Sequence, residues 1–550
     1  MRITTKVIQN NSLNNINTNK LLQDKLSQQM STEKKVSRPS DDPIVAIRAL
    51  RLRTNVNQVT QYYEKNVPDA ESWLEVTESA LSSMSEVVTD MIAQCTKGSN
   101  EDLTTSDRET ILTALKALRD EVYSTGNADY AGRYIFTGYR TDTPLTFEDD
   151  KTQKYTVTEQ VDNSRIDTVT YVDTEKLLDI NESNFDQTGT DENGQQVGDG
   201  VNYAGANEYD IAQSEVYRMR LSYKDIDDIG VDGEDNNIGI QIWQEKEIDG
   251  EMKKGYFTLD EITVDGQIED VEYETVSIYN PENPYEIMTK EENANKVLLV
   301  KETGEMLLGK NVYDKLMSLK DDAETPENEG EIRLSYEKSE WDGNDLRPEH
   351  YFACSSEGID YNPDYLNGIS DEDKQTIEYD VGLNQTIRVN TTADEVFTHD
   401  ISRDVEDMIK SMEDTVAMEK QVTKLKKMLE ENKDPDKTPI LEKQLAAAEK
   451  AFTLLNEKTQ QMFETGITKM QKHLDAVNFA VTENGTRGQK LELISNRLMS
   501  QKTNFETLRS ENEDIDITDV AIKLSSAELT YSSALMATGK VLQNNLMNFI

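Results

Sequence analysis

The chain has 550 residues, 36% of them hydrophobic and 30% charged, with a formal net charge of −48. That length exceeds what one core supports, roughly 250–300 residues, so several domains are expected. Strong negative charge repels nucleic acid, and no stretch approaches the roughly 18 apolar residues of a membrane span.

The charge is unevenly spread. Thr141–Asp400 holds 21 Lys+Arg against 64 Asp+Glu, whereas the first 60 residues hold ten against four. The middle of the chain is therefore a solvated anionic body, and the N-terminus is mildly basic. Met1–Lys20 is rich in Asn and Thr and lacks the apolar run of a secretory signal, so no cleavable leader is expected. Proline marks the segments. None of the eleven lies between Pro68 and Pro144 or after Pro439. Those tracts are where long helices can run, because an interior proline costs a helix about 3 kcal/mol.

In chain order, Leu13, Ile16, Leu21, Leu22 and Leu26 form a thin apolar stripe interleaved with Asn and Gln. Val67, Ala70, Leu74, Thr77, Leu81, Met84, Val88, Met91 and Cys95 then alternate in steps of three and four, the period of a coiled-coil seam. Gly98 should stop that helix. A second stripe, Ile111, Leu115, Leu118 and Val122, is expected to be capped by Ser106 or Asp107 and to fold back as an antiparallel hairpin. Between 141 and 400 the texture turns to β-branched runs: Tyr155-Thr-Val-Thr, Thr168-Val-Thr-Tyr-Val, and Val297-Leu-Leu-Val before a Gly304 turn into Glu305-Met-Leu-Leu. Ile377-Glu-Tyr-Asp-Val and Thr386-Ile-Arg-Val flank Gly382 as another pair of strands, and the run Asp321–Glu331 reads as a flexible loop or a subdomain boundary.

Helical periodicity returns at Ile401–Glu431, breaks at Asp434-Pro435 and Pro439, and resumes over about 440–510. Seventy helical residues would span about 105 Å, far too long to stand without partner helices. Gly485 and Gly488 interrupt this seam, as either a close crossing or a kink. The last stripe is Val520, Leu524, Ala527, Tyr531, Leu535, Leu542, Leu546 and Phe549. The expected fold is multidomain α + β. Both chain ends form a long antiparallel helical, coiled-coil rod, and an acidic β-rich domain is inserted in it. The expected segments are 1–43, 44–140, 141–400, 401–514 and 515–550.

Chemistry finds little support. The three histidines, His350, His399 and His473, form no HExxH, and there is no P-loop, dinucleotide fingerprint or GxSxG. Asp232-Gly-Glu-Asp-Asn-Asn-Ile-Gly lacks the sixth-position glycine and terminal Glu of a calcium loop. Two cysteines, Cys95 and Cys354, make no framework and no zinc site by themselves. No enzyme activity, cofactor or metal is expected.

The chain ends carry a resemblance. Met1-Arg-Ile-Thr-Thr, the turn Arg38-Pro39-Ser40-Asp41-Asp42-Pro43 with Ile44-Val-Ala-Ile-Arg-Ala-Leu, Tyr63-Glu-Lys65-Asn66, Trp73-Leu74 and Gly132-Arg-Tyr-Ile-Phe-Thr-Gly138 resemble the hook–filament junction members of the bacterial flagellin family. Ile515-Asp-Ile-Thr-Asp-Val520 and Leu529-Thr-Tyr531-Ser-Ser-Ala-Leu535 resemble that family's terminal helix. The resemblance covers roughly the first 145 and last 150 residues.

It implies a secreted structural subunit exported without a cleavable signal to the extracellular flagellum. Implied partners are further copies in a ring, hook-associated protein 1, flagellin and a secretion chaperone, with no nucleic acid and no membrane insertion. The residues expected to carry assembly are Val7, Leu13, Ile16, Leu524, Tyr531, Leu535, Leu542 and Leu546. One helical face does not distinguish a neighbour from the chain itself, so these residues also suit an intramolecular core. Neither terminal stripe buries enough apolar area to offset its ordering entropy, so both ends are expected to be loosely ordered in the free monomer. The competing readings are flagellin itself and a coiled-coil surface adhesin.

Overall fold

The computed structural model describes residues 5–543 apart from 175–176, 178–188, 191–195, 198–206, 228–238, 249–250, 265, 281, 320–330, 367–374 and 436. The acidic loop at Asp232 and most of the run from Asp321 lie outside the described residues. The fold mixes helix and sheet, with long helices towards both ends and a β-rich middle. The long helices are α1 (Thr5–Thr32), α2 (Pro43–Gln61), α3 (Val67–Gly98), α4 (Thr105–Val122), α5 (His399–Glu431), α6 (Thr438–Glu513) and α7 (Ile517–Gln543). Two compact units divide the chain. A terminal unit combines Met1–Ser72, Glu378–Arg388 and Arg487–Ile550, and a central unit combines Trp73–Ile377 and Val389–Thr486.

In the central unit the helices pack in antiparallel pairs. The α3 seam from Leu74 to Cys95 is buried, as its spacing predicts. Its neighbour α6 runs the other way. Asn484 Nδ2 donates to the Leu74 carbonyl at 3.0 Å, and Ser85 Oγ donates to Asn478 Oδ1 at 3.2 Å. At the far end Gly98 lies under Phe463, where a Cβ would come within 2.3 Å of the ring. Gly98 therefore ends the helix and also admits an aromatic ring.

The α4 cap is Thr104, not Ser106 or Asp107. Thr104 Oγ1 accepts from the Asp107 amide and the Asp107 carboxylate accepts from the Thr104 amide, which makes a capping box. The ion pairs of α4 run to α5: Arg108–Glu419 at 2.8 Å, Glu109–Lys420 at 2.7 Å and Lys116–Glu413 at 2.6 Å. Helices α5 and α6 form the tight hairpin that Pro435 and Pro439 punctuate, with Lys426–Glu449 at 2.9 Å and Ser411–Thr459 at 2.7 Å across it. Gly485 and Gly488 sit inside an unbroken α6, and a Cβ at either would meet nothing within 4 Å. Neither marks a close crossing.

The β part of the central unit includes β1 (Lys151–Val161), β2 (Ile166–Val172), β3 (Gln213–Arg220), β4 (Gly239–Ile248), β5 (Glu251–Thr258), β6 (Glu272–Val276), β7 (Lys296–Val300), β8 (Glu305–Leu308), β9 (Ile332–Trp341), β10 (Ala353–Ser356) and β11 (Ile359–Tyr361). Its larger sheets run in the orders β11-β10-β1-β9-β4-β5 and β6-β7-β8-β3-β2. Trp341, Tyr155, Tyr336 and Phe147 fill the shared core. The expected hairpin at Gly304 forms between β7 and β8. Gly304 has φ +61, and a Cβ there would fall 1.9 Å from the Tyr223 carbonyl oxygen, so both conformation and space demand glycine. In the terminal unit, Glu378–Gly382 and Gln385–Arg388 form a separate two-stranded hairpin.

Candidate assembly surface at the paired chain ends

The terminal unit brings the first and last helices together. Alternating steps of three and four place Ser12, Ile16, Asn19, Gln23 and Leu26 on the less exposed face of α1. Three of those five are polar, so the seam gains little from burial. Its firmest point is Leu26, which is buried with Val520 and Ala527 of α7 while Ile515 and Leu524 pack alongside. Where α1 ends, Glu33 turns the chain with φ +57. The backbone then pairs with the α6–α7 junction: Lys35 N donates to Glu513 O at 2.7 Å and Ile515 N to Glu33 O at 3.1 Å. This antiparallel bridge fixes the register of the two chain ends.

The next six residues, Arg38-Pro39-Ser40-Asp41-Asp42-Pro43, are turn chemistry throughout. The Arg38 amide donates to Asp41 Oδ2 at 3.1 Å, and the Asp41 amide returns to the Arg38 carbonyl at 2.9 Å. Asp42 caps α2 by accepting from the amides of Ile44 at 3.0 Å and Val45 at 3.1 Å, and Pro43 occupies the first helical turn, where no N–H is needed. From α2, Arg53 reaches back to Glu513 with a two-pronged ion pair of 2.7 and 2.6 Å. That pairing raises the Arg53 pKa, and Lys34 with Ser510 holds the Asp514 carboxyl below its ordinary value. Asn512 Nδ2 also donates to the Val45 carbonyl at 3.1 Å.

The outward faces of this unit are unusually apolar. Leu21 is 70% exposed on α1, as are Ile44 (71%) and Leu50 (60%) on α2. On α7, Ile522, Leu529 and Met536 repeat every seven residues and are 66–70% exposed. Among the described residues, most of the exposed large hydrophobic side chains belong to this unit. Exposed hydrophobics scattered singly are ordinary, but a heptad-spaced row on a helix that already buries another face is not.

The residues singled out from sequence divide accordingly. Ile16, Leu524 and Tyr531 are half-buried, whereas Val7, Leu13 and Leu535 are 46–53% exposed. The Leu542 side chain and all of Leu546 lie outside the described residues. The sequence reading followed the inward seam of α7 and missed the row Ile522, Leu529 and Met536. Its seven-residue spacing was the available signal.

The central unit has its own polar cluster. Arg218 bridges Glu305 at 2.6 Å and Asp407 at 2.7 Å, and Arg220 bridges Asp404 at 2.6 Å. Lys469 and His473 add to Asp404 at 2.9 and 3.4 Å, so this carboxyl is held well below its usual range. Each charge is matched, so the cluster reads as a clasp between β3 and α5. His350 and His399 are buried, and burial pushes them down to about 4 and about 3. Among the described residues no group of His, Cys, Asp or Glu is placed to hold a metal ion, and no helix is long and apolar enough to cross a membrane.

Residues 3–141 match the family model described as the bacterial flagellin N-terminal helical region. The chain is also 33% identical over 171 residues to flagellar hook-associated protein 3 of Salmonella typhimurium and, to the same extent, to that of Escherichia coli K12. Each alignment covers 30% of this chain and 53% of the relative, so the chain spans about half the length of the curated relatives it matches. A solved structure of a putative flagellar hook-associated protein from Vibrio parahaemolyticus aligns over 86% of this chain and all of its own, at 14% identity and a TM-score of 0.32. The chain is thus similar to the bacterial flagellin N-terminal region over residues 3–141 and, over part of its length, to flagellar hook-associated protein 3.

Proposed function

We propose that this chain is a structural subunit of the bacterial flagellum that joins hook to filament by self-assembly through its paired terminal helices. One observation carries this reading: the helices of both chain ends pair with each other, yet α7 leaves a heptad-spaced apolar row facing outward and α1 leaves Leu21 exposed. A monomer gains nothing from such rows, while a polymer buries them between copies. The relatives are named as flagellar hook-associated proteins, which agrees with a role as building block and not as catalyst. Hook-associated protein 1 and flagellin are the neighbours this role requires on the two sides of a ring. A secretion chaperone suits the C-terminal helix, because an apolar-faced helix is a natural occupant of a protein groove. Export to the cell exterior follows from the same role.

Deleting the gene should leave hooks on the cells while filament protein is shed into the medium. Loss of the filament's bulk subunit would instead identify flagellin, the second reading, which the match to the flagellin N-terminal region favours.

A further inference from the structure

The terminal unit holds a groove of about 180 Å³ between the 34–39 turn and α2. Val36, Pro39, Val45, Ala46, Ala49 and Leu50 form its walls, and Lys34, Arg38 and Arg53 stand around it. Lys34 and Arg53 are committed to Glu513 and Asp514. The Arg38 guanidinium has no ion pair among the described residues, although it is exposed beside an apolar hollow. On α7, Leu529 is 70% exposed, and the adjacent Glu528 carboxylate is likewise exposed and without an ion pair among the described residues.

We infer that this groove receives the outer face of α7 from a second copy of the chain, with Leu529 seated against Ala49 and Glu528 paired with Arg38. The inference rests on the self-assembly reading and specifies its partner surface. Shape and charge both favour it. The hollow has room for a leucine-sized side chain, and the free charge at its edge is opposite to the free charge beside the leucine. Groove and row are different surfaces of the same unit, so the contact is head-to-tail. A head-to-tail contact propagates from copy to copy, closing into a ring or continuing as a helix, whereas a symmetric contact stops at two.

Full-length chains carrying Ala49→Cys or Leu529→Cys, prepared separately, mixed at assembling concentration and oxidised, should give a covalent dimer containing one copy of each. Neither variant alone should give it. The native thiols do not interfere, since Cys95 and Cys354 are both buried and burial pushes Cys95 up to about 12. Arg38→Glu and Glu528→Arg should each raise the concentration needed for self-association about tenfold, and the double variant should recover most of that loss. Circular dichroism on each variant confirms folding, and Leu50→Cys, which also lines the groove from α2, replaces Ala49→Cys if the latter misfolds. Self-association without the mixed dimer, or disulfides only between two Leu529→Cys chains, would overturn this docking mode and leave self-assembly standing. A chain that never self-associates would overturn both.

Discussion

The helices of the two units share a heptad alphabet and use it to different ends. In the central unit's part of α3 every seam position from Leu74 to Cys95 is buried, with leucine and methionine dominating. In α1 the corresponding face offers Ser12, Asn19 and Gln23, and only Leu26 is buried. Conversely, α7 carries a full apolar row that nothing in its own unit covers. Where neighbours lie within the chain, the seam closes into a core. Where it is thin on one helix and doubled on the next, the surplus apolar surface points outward.

Four experiments break or sharpen this contrast. The largest effect is expected in the central unit. Leu81→Ala should lower its stability by about 3 kcal/mol, because the fully buried side chain leaves a cavity in a packed seam, and a urea titration reads the loss directly.

Acid should separate the units next. All three histidines lie in the central unit. His350 and His399 titrate lower in the folded chain than the ordinary 6.5, so the unfolded chain binds protons first. Their stabilisation is complete above about pH 6.5 and is lost as pH falls towards 4, on the order of 3 kcal/mol for His350. In the terminal unit Asp514 is shifted down by Lys34, so its contribution persists until pH falls below the ordinary carboxylate value of 3.8. Near-ultraviolet dichroism between pH 7 and 4 should therefore report loosening around the aromatic cluster at Trp341 before the terminal helices change. His350→Gln should flatten that transition.

A smaller effect belongs to Leu26→Ala, about 1 kcal/mol and confined to the α1–α7 pair, visible as faster amide exchange in both helices. The smallest on the monomer is Leu529→Ser, within about 0.5 kcal/mol, since the side chain is already solvated. Light scattering should nonetheless show weakened self-association. Equal losses from Leu81→Ala and Leu529→Ser would erase the distinction between closed and open seams.

Periodicity made the long helices legible, because a stripe such as Leu81-Met84-Val88 records directly which face meets the core. The β7–β8 hairpin was legible too, since glycine at 304 is the residue its turn demands. The α4 cap was placed two or three residues late because Thr104, Ser106 and Asp107 all suit that role, and only the reciprocal bond of a capping box selects Thr104. The pairing of α4 with α5 was hidden, since charges on one helix do not announce which distant helix holds the complement. The same limit applies to Ile522, Leu529 and Met536: an apolar spacing predicts a contact without saying whether its partner lies in the same molecule.

The bridge between Lys34 and Asp514 carries a timing consequence. The strands and helices of the middle can begin folding while the polypeptide is still being made, but α1 must wait for α7, which is synthesised long after it. Closing so long a loop is entropically costly and slow. A prematurely terminated product thus leaves its first helix unmatched and lacks the outer row of α7. The architecture in this way withholds the complete α1–α7 pair from any copy cut short before α7.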